Sequence, residues 1–228
     1  MGLIEDQIEL FATFSEKVQK DLIKRAKATY RSSDMEYIQR IMATDITARI
    51  VQDLGYGKAV DALIDDYDKI VAGISKNILA KVPRGTVEML KTLDTQFWFE
   101  HVADVGDEIK RTLIHGSIGG VTKRQLTERL VTATKKLSKA QIGSLVNTSL
   151  VTMSRAVFAA GATQLGPDAE FIYDGPQDSK NRDECAQVLA DPRNAEGFKM
   201  KEIGSLPVGL VSGGGFRCRH IWIQAIEL

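Results

Sequence analysis

Tyr173-Asp174-Gly175-Pro176-Gln177-Asp178-Ser179-Lys180-Asn181-Arg182-Asp183-Glu184-Cys185 opens, and Gly213-Gly214-Gly215-Phe216-Arg217-Cys218-Arg219-His220-Ile221-Trp222 closes, the stretch on which the reading of this chain turns. Both cysteines, one of the three histidines and a triple glycine lie within it. Gly175-Pro176 interrupts regular structure, because proline fixes its φ and donates no amide hydrogen. Asp178 or Ser179 can then cap a short helix reaching to about Leu189, with Asp183 and Glu184 in its first turn, where acidic side chains meet the exposed amide dipoles. Cys185 falls on that helix. Gly213 to Gly215 permit close backbone approaches that a side chain would forbid. The segment from Arg217 to Ile223 alternates and carries β-branched and aromatic residues, as a short strand does. Cys218, His220 and Trp222 then share one face, and Arg217, Arg219 and Ile221 the other. The two ends are expected to come back together as a small, turn-rich module.

Two cysteines and a histidine on facing elements admit three readings, and the sequence leaves all three open. One is a metal site of Cys185, Cys218 and His220 with Asp178 as fourth ligand, a donor mixture that zinc accepts in tetrahedral geometry, although no CxxC pair is present. The second is a Cys185–Cys218 disulfide closing a loop of about thirty residues, which suits a particle that leaves the cell better than the cytosol. The third is two buried thiols beside a hydrogen-bonded imidazole in a small core.

Upstream, the chain reads as helix. Ile8, Phe11, Phe14, Val18, Leu22, Ile23 and Ala26 recur at helical spacing from about residue 3 to residue 30, with Leu3 and Ile4 extending the same face. A second helix is expected from about Asp34 to Leu54, ended by Gly55-Tyr56-Gly57, and a third from about Lys58 to Leu79. Asp61, Asp65, Asp66 and Asp68 cluster on the third as a solvated acidic face, without the loop geometry that calcium takes. After the Val82-Pro83 break, a long helix from about Thr86 to His115 carries Phe97-Trp98-Phe99, read as core or as a subunit contact, with His101 packed beside it. Gly116 to Gly120 reads as a hinge-like turn. Thr122 caps a helix to about Leu137, and Ser138 caps another to about Gln164.

Composition narrows the function. With 30 basic and 30 acidic residues the chain is formally neutral, which argues against a surface that wraps nucleic acid throughout. A hydrophobic content of 43% suits a folded chain. The start has no basic segment followed by an apolar run, so no secretion signal is expected, and no apolar run is long enough for a membrane span. Neither a P-loop nor a GxSxG motif is present.

Gly175, Pro176, Asp178, Ser179, Arg182 and Cys185, followed by Gly214, Gly215, Cys218, Arg219, His220 and Trp222, resemble the C-terminal domain of phage head morphogenesis proteins, the Mu F-like minor capsid family. The resemblance extends over about residues 110 to 224, because Ile118-Gly119-Gly120-Val121-Thr122 and the two helices after it arrive in the family's order. One departure stands out: where the family often carries an Arg-Thr-Glu-like triplet, this chain has Asn147-Thr148-Ser149. The fold expected is mainly α, with long antiparallel helices in residues 1–115 followed by a small mixed α/β module in residues 116–228. The resemblance implies a structural minor virion protein of a tailed phage, acting in head assembly at or near the portal or neck. Its partners would be portal, capsid or neck proteins and further copies of itself, with non-specific contact to packaged DNA and none to a membrane. It would reside in the virion, and in the host cytoplasm during assembly. The alternatives are a hydrolase in which His220 acts as base, Cys185 as nucleophile and Arg182 and Arg219 as phosphate clamps beside Asp178, or a zinc-held binding module.

Overall fold

The computed structural model describes residues 2–215 and 218–225, with side chains from residue 6 onward. Arg217, expected on the outer face of the C-terminal strand, lies outside the described residues, as do the side chains of Leu3 and Ile4. The chain is mainly α, with one small antiparallel sheet towards its C-terminal end.

It divides into two compact units, residues 1–66 with 92–146, and residues 67–91 with 147–228. This division differs from a partition at the Gly116–Gly120 turn. The long helices α7 (Thr86–Ile118) and α9 (Lys139–Ala162) each contribute residues to both units, so proximity along the chain does not set the boundary.

In the first unit, α1 (Gly2–Thr29) buries Phe11, Val18 and Leu22. Phe11 meets Trp98 at 5.0 Å and Tyr56 edge-on at 5.7 Å, so the aromatic centre of this unit is built from three segments distant in sequence. Trp98 is fully buried, whereas its neighbour Phe97 is 40% exposed. His101 packs against both rings, and burial pushes its imidazole below its ordinary value.

The helix expected over residues 34–54 is two helices, α2 (Met35–Ala43) and α3 (Ile46–Gln52). Asp45 is the reason: its carboxylate accepts the Ala48 amide at 2.9 Å and starts a new helix, while Thr44 turns extended. The helix expected over residues 58–79 is likewise divided into α4 (Tyr56–Asp65), α5 (Tyr67–Val71) and α6 (Lys76–Leu79). In that stretch Asp66 is buried, which corrects the picture of a wholly solvated acidic face. The hinge-like turn is also shorter than expected. Helix α7 runs through Gly116 and Ser117, both buried, and ends at Ile118, two residues before Gly120, whose φ of +64° a side chain rarely adopts. Thr122 then caps α8 (Lys123–Ala133) in a reciprocal capping box with Gln125, as its spacing predicts.

In the second unit, the sheet has the order β2-β1-β3, with β1 (Glu170–Asp174) central between β2 (Phe198–Lys199) and β3 (Ile221–Gln224). The central strand departs from the expectation that the chain before Tyr173 is helical. Phe171 faces Phe198 and Gln224 across the ladder, and Tyr173 faces Trp222. The short helix α10 (Asp183–Ala190) carries Cys185 and Val188 into the same core, and α11 (Met200–Ile203) follows β2. That core also takes in Ile78 and Phe158.

Candidate metal centre

Three of the four residues expected to bind metal come together. Cys185 is fixed by α10, and Cys218 and His220 stand on the segment that leads into β3, which begins only at Ile221. Their ligand atoms lie within 4.8 Å of one another, and all three residues are buried. The two sulfurs are 3.7 Å apart, and Cys218 Sγ is 3.6 Å from His220 Nδ1. A tetrahedral zinc shell, with bonds of about 2.3 Å to sulfur and 2.0–2.1 Å to nitrogen, needs edges of about 3.8 Å between sulfurs and about 3.6 Å between sulfur and nitrogen. The edge between the two sulfurs and the edge from Cys218 Sγ to His220 Nδ1 match that shell. Both thiols are free, so the disulfide reading is not the state described.

The backbone fixes the tautomer of the imidazole. His220 Nε2 lies 2.8 Å from the Pro176 carbonyl oxygen, which can only accept, so Nε2 carries the proton. Nδ1 is left with a lone pair facing the thiols. A backbone carbonyl behind the ring is the support that metal-bound histidines commonly use.

Glycine makes the approach possible. A Cβ at Gly214 would overlap Cys185 Sγ, and one at Gly175, where φ is +153°, would overlap the imidazole of His220. Below the segment, the buried guanidinium of Arg155 from α9 donates to the carbonyls of Ser212, Cys218 and His220, at 3.3, 2.9 and 2.6 Å. Sequence reasoning missed Arg155. A lone arginine on the apolar face of a helix was the signal, because burying a cation demands a dedicated set of acceptors.

The electrostatics separate the two thiols. Burial pushes Cys185 up from its ordinary value. Burial acts on Cys218 in the same sense, but hydrogen bonds from Tyr173 and from the His220 and Gly214 amides outweigh it and hold Cys218 at about 6. Cys218 is thus the thiolate of the pair, the form that binds metal.

Asp178 is not in the cluster. Its two carboxylate oxygens are taken by the Arg219 guanidinium at 2.6 and 2.8 Å, and it closes a local turn by accepting the Lys180 amide at 2.9 Å. Asp178 and Ser179 do not cap the short helix either, because α10 starts only at Asp183, with Arg182 at its N-cap. Arg182 donates to the Gly214 carbonyl, tying the two ends of the stretch together. Asp178 is therefore corrected from ligand to ion-pair partner.

The second feature missed is Tyr173. Its hydroxyl sits 3.3 Å from Cys218 Sγ and 3.5 Å from Cys185 Sγ, and its ring stacks on His220 with centroids 5.4 Å apart. Comparison with family models, with curated proteins and with solved structures finds no match for the chain.

Proposed function

We propose that this protein is a structural minor virion component of a tailed phage, acting in head assembly at or near the portal or neck, with a C-terminal module held closed by zinc on Cys185, Cys218 and His220. One observation carries the reading: the residues of the motif that resembles the Mu F-like family are engaged in holding the module shut. Gly175 and Gly214 admit the imidazole and a thiol, Pro176 anchors the ring, and Asp178 pairs with Arg219. Arg182 ties down Gly214, and Trp222 donates to the Gly209 carbonyl at 3.3 Å while packing on Tyr173 at 4.9 Å.

This distribution favours a structural over a hydrolytic role. Cys185 and His220 are each 2% exposed, and His220 has both ring nitrogens committed, so neither is placed to meet a polymeric substrate. Leu93 and Phe97, one turn apart on α7, are exposed apolar side chains that suit contacts with portal, capsid or neck proteins or with another copy of the chain. The zinc-held binding module is compatible with this reading, since the ion would hold the fold rather than do chemistry. No helix among the described residues is long and apolar enough to cross a membrane.

The test is the composition of purified, DNA-filled particles. Mass spectrometry is expected to find the chain at low copy in particles that have been washed free of soluble protein. Its presence only in the soluble fraction of infected cells would overturn the assembly role.

A further inference from the structure

We propose that the hydroxyl oxygen of Tyr173 is the fourth ligand of the metal centre, closing a tetrahedral shell with Cys185, Cys218 and His220. The inference deepens the metal-held reading above and rests on it.

The geometry supplies the first argument. With a zinc–oxygen bond of about 2.0–2.2 Å, a tetrahedral shell places oxygen about 3.5 Å from each sulfur. The Tyr173 oxygen stands 3.3 and 3.5 Å from the two sulfurs. The carboxylate that could have competed for this position, Asp178, is held by Arg219 on an exposed edge of the module.

The second argument is how firmly Tyr173 is placed. It is 1% exposed. Its backbone is gripped on both sides by Asn194, whose side-chain oxygen accepts the Tyr173 amide at 2.8 Å and whose side-chain nitrogen donates to the Tyr173 carbonyl at 2.9 Å. Its ring is held between the stacked imidazole and the cross-strand indole of Trp222. A side chain fixed from the backbone to the ring, with its hydroxyl aimed between two sulfurs, is arranged as ligands are.

The third argument is charge. Two thiolates neutralise a divalent ion, and a phenolate adds one negative charge to a buried site, which is costly without a counter-ion. Arg155 supplies one. It is 5% exposed, its guanidinium lies against the carbonyls of Cys218 and His220, and no carboxylate is paired with it among the described residues. On binding, the protons of the phenol and of the thiol pass to solvent, and the metal takes the lone pairs they leave.

The experiment uses the full chain and Co²⁺ alone as probe, because four-coordinate Co²⁺ reports its ligands in its visible spectrum. Wild type is expected to bind one equivalent per chain and to be indifferent to added azide, since no position is open. Tyr173→Phe, which keeps the ring and its packing, is expected to bind Co²⁺ with a shifted visible band and to respond to azide at the vacated position. A Tyr173→Phe spectrum identical to wild type, or a wild-type spectrum that azide changes, would overturn the tyrosine ligand while leaving the three-residue centre standing. Failure of wild type to bind Co²⁺ stoichiometrically, or undiminished binding by Cys185→Ser, would instead remove the metal-held reading itself.

Discussion

The contact between Asp178 and Arg219 shows how one side chain decides another's role. Hydrogen bonds from the Arg219 guanidinium, and then from the Lys180 amide, hold the Asp178 carboxyl well below the usual carboxylate range. A carboxyl whose folded value is depressed favours the folded state above its unfolded value of about 3.9, and that contribution fades as pH falls through the folded value. Both side chains are exposed, so solvent screens the pair and its effect is local. Arg219→Ala should return the Asp178 titration, followed by NMR of the carboxyl carbon, towards the ordinary carboxylate value. An unchanged titration midpoint would show that the guanidinium does not set it. The sequence could not show that an arginine forty-one residues away would claim both oxygens of Asp178 and take it out of the ligand set.

The central strand, β1, is the element on which the module depends, and Asn194 is its fastening. Asn194→Ala would strip partners from the amide and carbonyl of Tyr173, both within the core. Each backbone group left dry costs about 1–3 kcal/mol, so urea unfolding should show a loss within or above that range. A loss below about 0.5 kcal/mol would mean that β1 is held by its neighbours alone. The same strand shows where legibility ended. Phe171-Ile172-Tyr173 is a short aromatic and β-branched run between Gly166-Pro167 and Gly175-Pro176, which is a strand signature. The strand is only five residues long and follows a long helix whose apolar pattern dominates the surrounding sequence. The helix breaks were obscured for a related reason. Ile41, Ile46 and Ile50 keep an apolar rhythm across the break, while the decisive Asp45 is a single capping side chain. Where a cap coincided with the start of the rhythm, as at Thr122, the boundary was readable.

On the scale of the whole molecule, the mainly α character with a small mixed module was legible, because periodicity and the Gly-Pro punctuation both report it. The two compact units were not, because α7 and α9 each belong to both and no composition shift marks the points where they pass between. The division nevertheless has a measurable consequence for the metal-held reading. A chelator that strips the centre should speed amide exchange in β1, α10 and β3 while leaving α1 and α8 in the first unit unaffected. Exchange that rises equally in both units, or in neither, would contradict a centre that secures only the second.

The fork of Arg155 carries a last consequence. Its two terminal nitrogens reach three main-chain oxygens that belong to three different residues of the loop and the segment beyond it. Lysine, with one nitrogen on a longer-swinging stem, cannot subtend that span, so preserving the positive charge at position 155 would not preserve the architecture. Orphaned oxygens would be left at the two residues that present Cys218 Sγ and His220 Nδ1. An outwardly conservative exchange on a helix would thus misaim donor atoms sixty-odd residues further along the chain.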